Sequence, residues 1–107
     1  MSEARALYKE AFSHYVEDRV EEAIAGYRRA TEADPNLAIA WNGLAMALEK
    51  QGDLDAAIAA AERLIALEPD DVLAHTSLSR FYQRKGMIPE AEREQELAAR
   101  LQMQQDN

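Results

Sequence analysis

Apolar residues in the middle of the chain recur at steps of three and four: Leu37, Trp41, Leu44, Ala45 and Leu48, then Leu54, Ala57, Ile58, Ala61, Leu64 and Ile65. On an α-helix these steps bring the side chains onto one face, so the segment predicts two consecutive amphipathic helices. Gly52 falls between them, where a left-handed backbone would close the first helix, and Asp53 comes next, in position to cap the second. The same pattern along the rest of the chain predicts six helices, near residues 3 to 16, 19 to 33, 37 to 50, 53 to 67, 71 to 84 and 88 to 104. Asp34-Pro35-Asn36 and Glu68-Pro69-Asp70-Asp71 separate successive helix pairs, because proline bars the α conformation for its predecessor and the polar residues cap the next helix. No strand signal competes, so the fold class is all-α.

The helix pairs repeat. Pro35 and Pro69 lie 34 residues apart, and Ala23, Ala57 and Ala91 keep that interval, as do Leu44 and Leu78, Gly52 and Gly86, and Val20, Leu54 and Ile88. The frame is one domain of three units, at about residues 4–37, 38–71 and 72–105. The first unit has Asp18 where the others have glycine; it either enters the left-handed region at some cost or caps the next helix together with Glu21.

Trp41-x-x-Leu44-Ala45, followed by Gly52, Ala57 and Pro69, resembles the tetratricopeptide repeat, a helix-turn-helix unit of this length. The likeness runs over essentially the whole chain: Leu7, Ala11, Ala23, Tyr27, Ala30 and Pro35 match in the first unit, and Leu78, Tyr82, Gly86, Ala91 and Ala98 in the third. It implies a right-handed α-solenoid, with Trp41 a core residue against the preceding unit and the recurring alanines at the closest helix contacts. Glu10, Ala61, Gln95, His14 and His75 depart from the family pattern. Gln95 belongs to the last helix, which also carries Glu90, Glu92, Arg93, Glu94, Glu96 and Arg100 and is expected to serve as its own polar cap. Gln102 to Asn107 are expected to fray.

Composition narrows the function. Twenty acidic against twelve basic residues give a net charge of −8, which repels a phosphate backbone and makes nucleic acid a poor partner. The absence of cysteine excludes disulfides, thiolate metal sites and cysteine nucleophiles. Met1-Ser2-Glu3-Ala4 opens without a basic segment leading into an apolar run, and no stretch is apolar enough to span a bilayer, so a cytoplasmic location without membrane insertion is expected. His14 and His75 lie in non-adjacent units, and neither has a histidine or cysteine three or four positions further on. Glu90, Glu92, Glu94 and Glu96 alternate, and residues two apart do not share a helix face, so they read as a solvated surface. Asp53-Leu54-Asp55 stops short of a calcium loop, and no glycine-rich phosphate loop exists. The expectation is a protein that is not an enzyme and holds no metal or cofactor.

A surface remains as the seat of function. In the family the first helices of successive units line a concave groove, and the resemblance assigns to it Arg5, Tyr8, Phe12 and Tyr15, then Ile39, Asn42, Met46 and Glu49, then Leu73, Thr76, Arg80 and Gln83. Independently, the steps from Arg5 to Tyr15 form one stripe beside the core stripe of Leu7, Ala11 and His14. That stripe either thickens packing at an N-terminal edge or offers a binding surface. The family's carboxylate clamp for chaperone tails would fall on Tyr8, Phe12, Gly43, Leu73 and Ser77, none of which matches it. Arg80, Arg84 and Lys85 form a basic wall near the third unit, although Arg84 and Lys85 also complement a helix C-terminus. The expected function is an adaptor-like protein-interaction module that takes a peptide with apolar anchors, an acidic end suiting the wall. The alternative is a homo-oligomeric structural scaffold that self-associates through the aromatic groove or the solenoid ends.

Overall fold

Six α-helices account for nearly all of residues 2–107, the part of the chain that the computed structural model describes: α1 (Glu3–Val16), α2 (Val20–Ala33), α3 (Ala38–Gln51), α4 (Leu54–Leu67), α5 (Val72–Lys85) and α6 (Ile88–Asp106). Local chemistry sets their ends. Ser2 accepts a hydrogen bond from the Arg5 amide, Asp53 from Ala56, and Asp71 from both Leu73 and Ala74. These caps satisfy amides that have no partner within the first turn of a helix. Gly52 and Gly86 close α3 and α5 with φ of 92° and 81°, the left-handed conformation that glycine adopts without steric cost. Asp18 takes the equivalent role at φ 65° between α1 and α2. It does not cap α2, whose N-cap is Arg19, a residue without a capping side-chain bond.

The helices pair as α1 with α2, α3 with α4 and α5 with α6; α2 packs on α3 and α4 on α5, giving a right-handed solenoid with no strand among the described residues. Small residues set the approach distances. Ala11, Ala23, Ala45, Ala57 and Ala61 are buried in one continuous core with Leu44, Leu48, Leu78 and Phe81. A Cβ on Gly26 would lie 2.8 Å from the Cβ of Ala11, so α1 and α2 touch almost backbone to backbone. Between α2 and α3 the Gly43 backbone instead lies against the Tyr27 ring, into which a Cβ there would run.

Two expectations are corrected. Trp41 is half-buried rather than a core residue, and packs against the core from its rim. Its indole N–H donates to the Pro35 carbonyl at 2.8 Å, and the Arg63 guanidinium lies 5.2 Å from the ring centre. An amphipathic ring with a donor to satisfy sits better at an edge than in a sealed interior. The chain from Gln102 onward does not fray at its start: α6 continues through Asp106, and Gln105 donates to the Asp70 carbonyl, tying the last turn to the α4–α5 turn.

Candidate functional site

The first helices bring the aromatic stripe of α1 against α3. Tyr8 and Phe12 stack with ring centres 6.2 Å apart, and Tyr8 also lies 5.8 Å from Tyr27. Tyr8, Phe12, Tyr15, Tyr27, Asn42, Gly43 and Met46 enclose an open, mainly apolar cavity of about 130 Å³. Phe12 forms its lip and is 48% exposed. Tyr27 forms its floor and is 1% exposed. Burial pushes the Tyr27 phenol up to about 12, with smaller contributions from Tyr8 and Tyr15, so it remains neutral across the physiological range.

A second cavity, of about 260 Å³, opens between the start of α3, the end of α4 and the start of α5. It is lined by Ala38, Ile39, Asn42, Leu64, Glu68 and Asp71. Asn42 lines both cavities.

Of the residues assigned to the groove from sequence, Tyr8, Phe12, Tyr15, Asn42 and Met46 converge on the first cavity, and Ile39 with Asn42 on the second. Leu73 is 76% exposed and lines neither. Thr76 turns its hydroxyl back to the Val72 carbonyl at 3.0 Å, and Arg5 is exposed outside both cavities.

The basic wall is not free. Arg80 grips Glu49 through Nε and Nη2 at 2.9 and 2.8 Å, and its Nη2 lies 3.7 Å from the Met46 sulfur. Arg84 donates to the Glu49 carbonyl at 3.2 Å and lies 3.3 Å from its carboxylate, while Lys85 pairs with Asp55. The hydrogen bond from Arg80 holds the Glu49 carboxyl below the usual carboxylate range, against the opposing pull of burial. An acidic ligand end would meet Arg80 already bound by Glu49 in bidentate geometry, although the two guanidinium groups share that single carboxylate. Periodicity places Glu49 beside Arg80 on the groove but carries no record of the pairing.

Sequence reasoning also missed Tyr27 and Gly43 as lining residues, and the pair Glu68 and Asp71. A glycine inside an apolar helix was the available signal for the first two, since it marks a close approach. The acids of the α4–α5 turn carried a capping signal alone.

The histidines have structural surroundings. His75 is buried with Nδ1 2.7 Å from Glu94 Oε1 and Nε2 2.8 Å from the Pro69 carbonyl. Burial opposes its charge, but these two partners and Asp71 outweigh that and raise its basicity above the ordinary value. His14 has a buried Nδ1 without a partner. Among the described residues no three potential ligands gather into a metal cluster, and no helix is long and apolar enough to cross a membrane.

Several solved structures similar to this chain are solenoids of the same kind. A crystal structure of MamA superposes with a TM-score of 0.95 at 26% identity, over 98% of this chain and 61% of the MamA chain, so this chain spans less than two thirds of that relative. The first TPR of Spaghetti (RPAP3), bound to the HSP90 peptide SRMEEVD, superposes with a TM-score of 0.87 at 19% identity, over 92% of this chain and 78% of that one. The second TPR, bound to the same peptide, gives 0.86 at 23% identity, over 92% and 91%. At these identities the two peptide-bound domains share the fold. No curated protein matches the sequence. The family model described as tetratricopeptide repeat matches residues 8–72 and again 42–106, nearly the full length, and the chain belongs to the tetratricopeptide repeat family.

Proposed function

We propose that the protein is a non-catalytic interaction module whose concave groove receives a peptide segment of a partner protein through apolar anchors. The three units, at about residues 4–37, 38–71 and 72–105, act in this reading as one domain. The observation that carries it is the aromatic cavity, whose lip at Phe12 is open to solvent while its floor at Tyr27 is fixed by the core. An apolar side chain entering there removes the exposed face of Phe12 and the Met46 thioether from water, and Asn42 stands beside it to hydrogen-bond the peptide backbone. Tyr8, Phe12, Tyr15, Asn42 and Met46 are the proposed contacts, with Ile39 flanking. Arg5, Leu73, Thr76, Arg80 and Arg84 stand outside the cavities and contribute at the rim. The peptide-bound relatives support the mode of binding in general, and the lack of the family's carboxylate clamp at Tyr8, Phe12, Gly43, Leu73 and Ser77 argues against a bare C-terminal carboxylate as the anchor.

The test is to select peptides from a random-peptide display library on the full chain, then measure their affinity for wild type, Phe12→Ala and Arg28→Ala. Phe12→Ala is expected to weaken binding about tenfold, ~1.4 kcal/mol, and Arg28→Ala, an exposed change on α2, to leave it unchanged. Normal binding by Phe12→Ala with loss in Arg28→Ala would move the site to the convex face. Sedimentation equilibrium decides the scaffold alternative: a mass that rises with concentration, and is restored to monomer by Phe12→Ala, assigns the groove to a second copy.

A further inference from the structure

We infer that the anchor seated in the aromatic cavity is a ring with a neutral hydrogen-bonding tip, as in tyrosine or tryptophan, and that the Tyr27 hydroxyl selects it; the inference rests on the groove reading above. Tyr27 is 1% exposed, and among the described residues its hydroxyl has no hydrogen-bond partner. That hydroxyl is not sealed in the core, because the one enclosed, unpartnered polar side-chain atom among the described residues is His14 Nδ1. The space it opens on is the cavity that Tyr27 lines together with Gly43. Cζ of Tyr27, which carries the hydroxyl, lies 2.6 Å from the place that a Gly43 Cβ would take. Gly43 is one of the five clamp positions, so a phenol fills the space where the clamp would put a side chain.

An anchor that fills the cavity shuts solvent away from this phenol. A wholly apolar one leaves the hydroxyl unpaired, which costs more than an ordinary neutral hydrogen bond gains, whereas an O–H or N–H at the tip restores the bond. A ring suits the walls, where Tyr8 and Phe12 already stack with centres 6.2 Å apart and Met46 offers a thioether. The tip is neutral because no lining residue is an acid or a base of the lysine or arginine kind, so a charge would lose its water without a counter-ion in the cavity. A cation is further opposed by two that border the site: Lys50 Nζ lies 5.3 Å from the centre of the Tyr15 ring, and Arg80 Nη2 lies 3.7 Å from the Met46 sulfur.

Peptides selected from a random-peptide display library on the full chain should be enriched in tyrosine or tryptophan. For one such peptide, removing the polar tip, by exchanging tyrosine for phenylalanine or tryptophan for naphthylalanine, should weaken binding to wild type about fivefold. Tyr27→Phe should bind the two peptides within about twofold of each other. This variant keeps the ring that packs against Gly43 and Tyr8, so the fold is retained, and a hydroxyl with a structural role alone would weaken both peptides equally. Peptides anchored by aliphatic or charged residues, or a preference for the polar tip that survives Tyr27→Phe, with binding still weakened by Phe12→Ala, would overturn this inference and leave the groove reading standing. Peptides whose binding ignores Phe12→Ala would overturn the groove reading and this inference with it.

Discussion

Gly43→Ala isolates the contact that builds the cavity. A Cβ at this position would lie 2.6 Å from Cζ and 2.9 Å from Cδ1 of Tyr27, with Cε1 closer still, distances at which something must move. Tyr27 is 1% exposed and Tyr8 lies against it, so the ring can yield only toward the cavity that it floors. Overpacking of this kind costs ~1–3 kcal/mol, and three ring atoms in conflict place it toward the upper part of that range. The substitution also removes a glycine from a helix interior, which returns ~1 kcal/mol. The net expectation is destabilisation by about 1–2 kcal/mol, or a Tm lowered by about 4–9 °C for a chain of this size. Thermal unfolding followed by circular dichroism measures it. The decisive arm is a double-mutant cycle with Tyr27→Leu: once the ring is gone, Gly43→Ala should be neutral or stabilising, giving a coupling above ~1 kcal/mol. A single variant as stable as wild type, or a cost that persists in the Tyr27→Leu background, would refute the claim that the ring occupies that space.

Asp18→Gly should stabilise the protein by about 1 kcal/mol in urea unfolding, because Asp18 sits at φ 65° where glycine is unstrained; the exposed Lys50 pair lost with it is worth little. His75 should make stability pH-dependent. Its basicity is raised by folding, so its contribution is complete below about 6.5, the unfolded value, and fades as pH rises through the folded one. Urea midpoints of wild type should therefore fall relative to His75→Leu as pH rises above about 6.5, and parallel profiles would exclude the role. Glu49 works in the other direction: its carboxyl is held low, so the Arg80 contact is present above the unfolded carboxylate range and lost in acid, a loss that Glu49→Gln should abolish.

The fold was legible because its determinants are local and periodic. Gly52, Gly86 and Asp18 announced the turns between paired helices, and the predicted helix bounds agree with the observed ones to within one residue at every end but the last. There the helix outran the expected stop, held by a bond from Gln105 to a carbonyl 35 positions away that no neighbouring residue encodes. The same limit governs the site. Spacing placed Tyr8, Phe12, Tyr15, Asn42 and Met46 on one surface, since a helical stripe is a property of sequence. It did not show that Glu49 already holds Arg80 and Arg84, because that depends on which rotamers reach across from one unit to the next. Trp41 shows the complementary error: a column position identified the side of the helix but not the depth, which the indole donor and the Pro35 carbonyl decide.

The central claim is that the concave groove binds the partner, and methionine methyl groups report on it directly. Met46 lines the aromatic cavity, whereas Met87 lies at the α5–α6 turn and Met103 on the exposed face of α6. With methyl-labelled methionine in the full chain, titration of a peptide selected from the display library should shift the Met46 resonance to saturation and leave Met87 and Met103 in place. A saturating shift at Met103 or Met87 with Met46 unmoved would contradict the account.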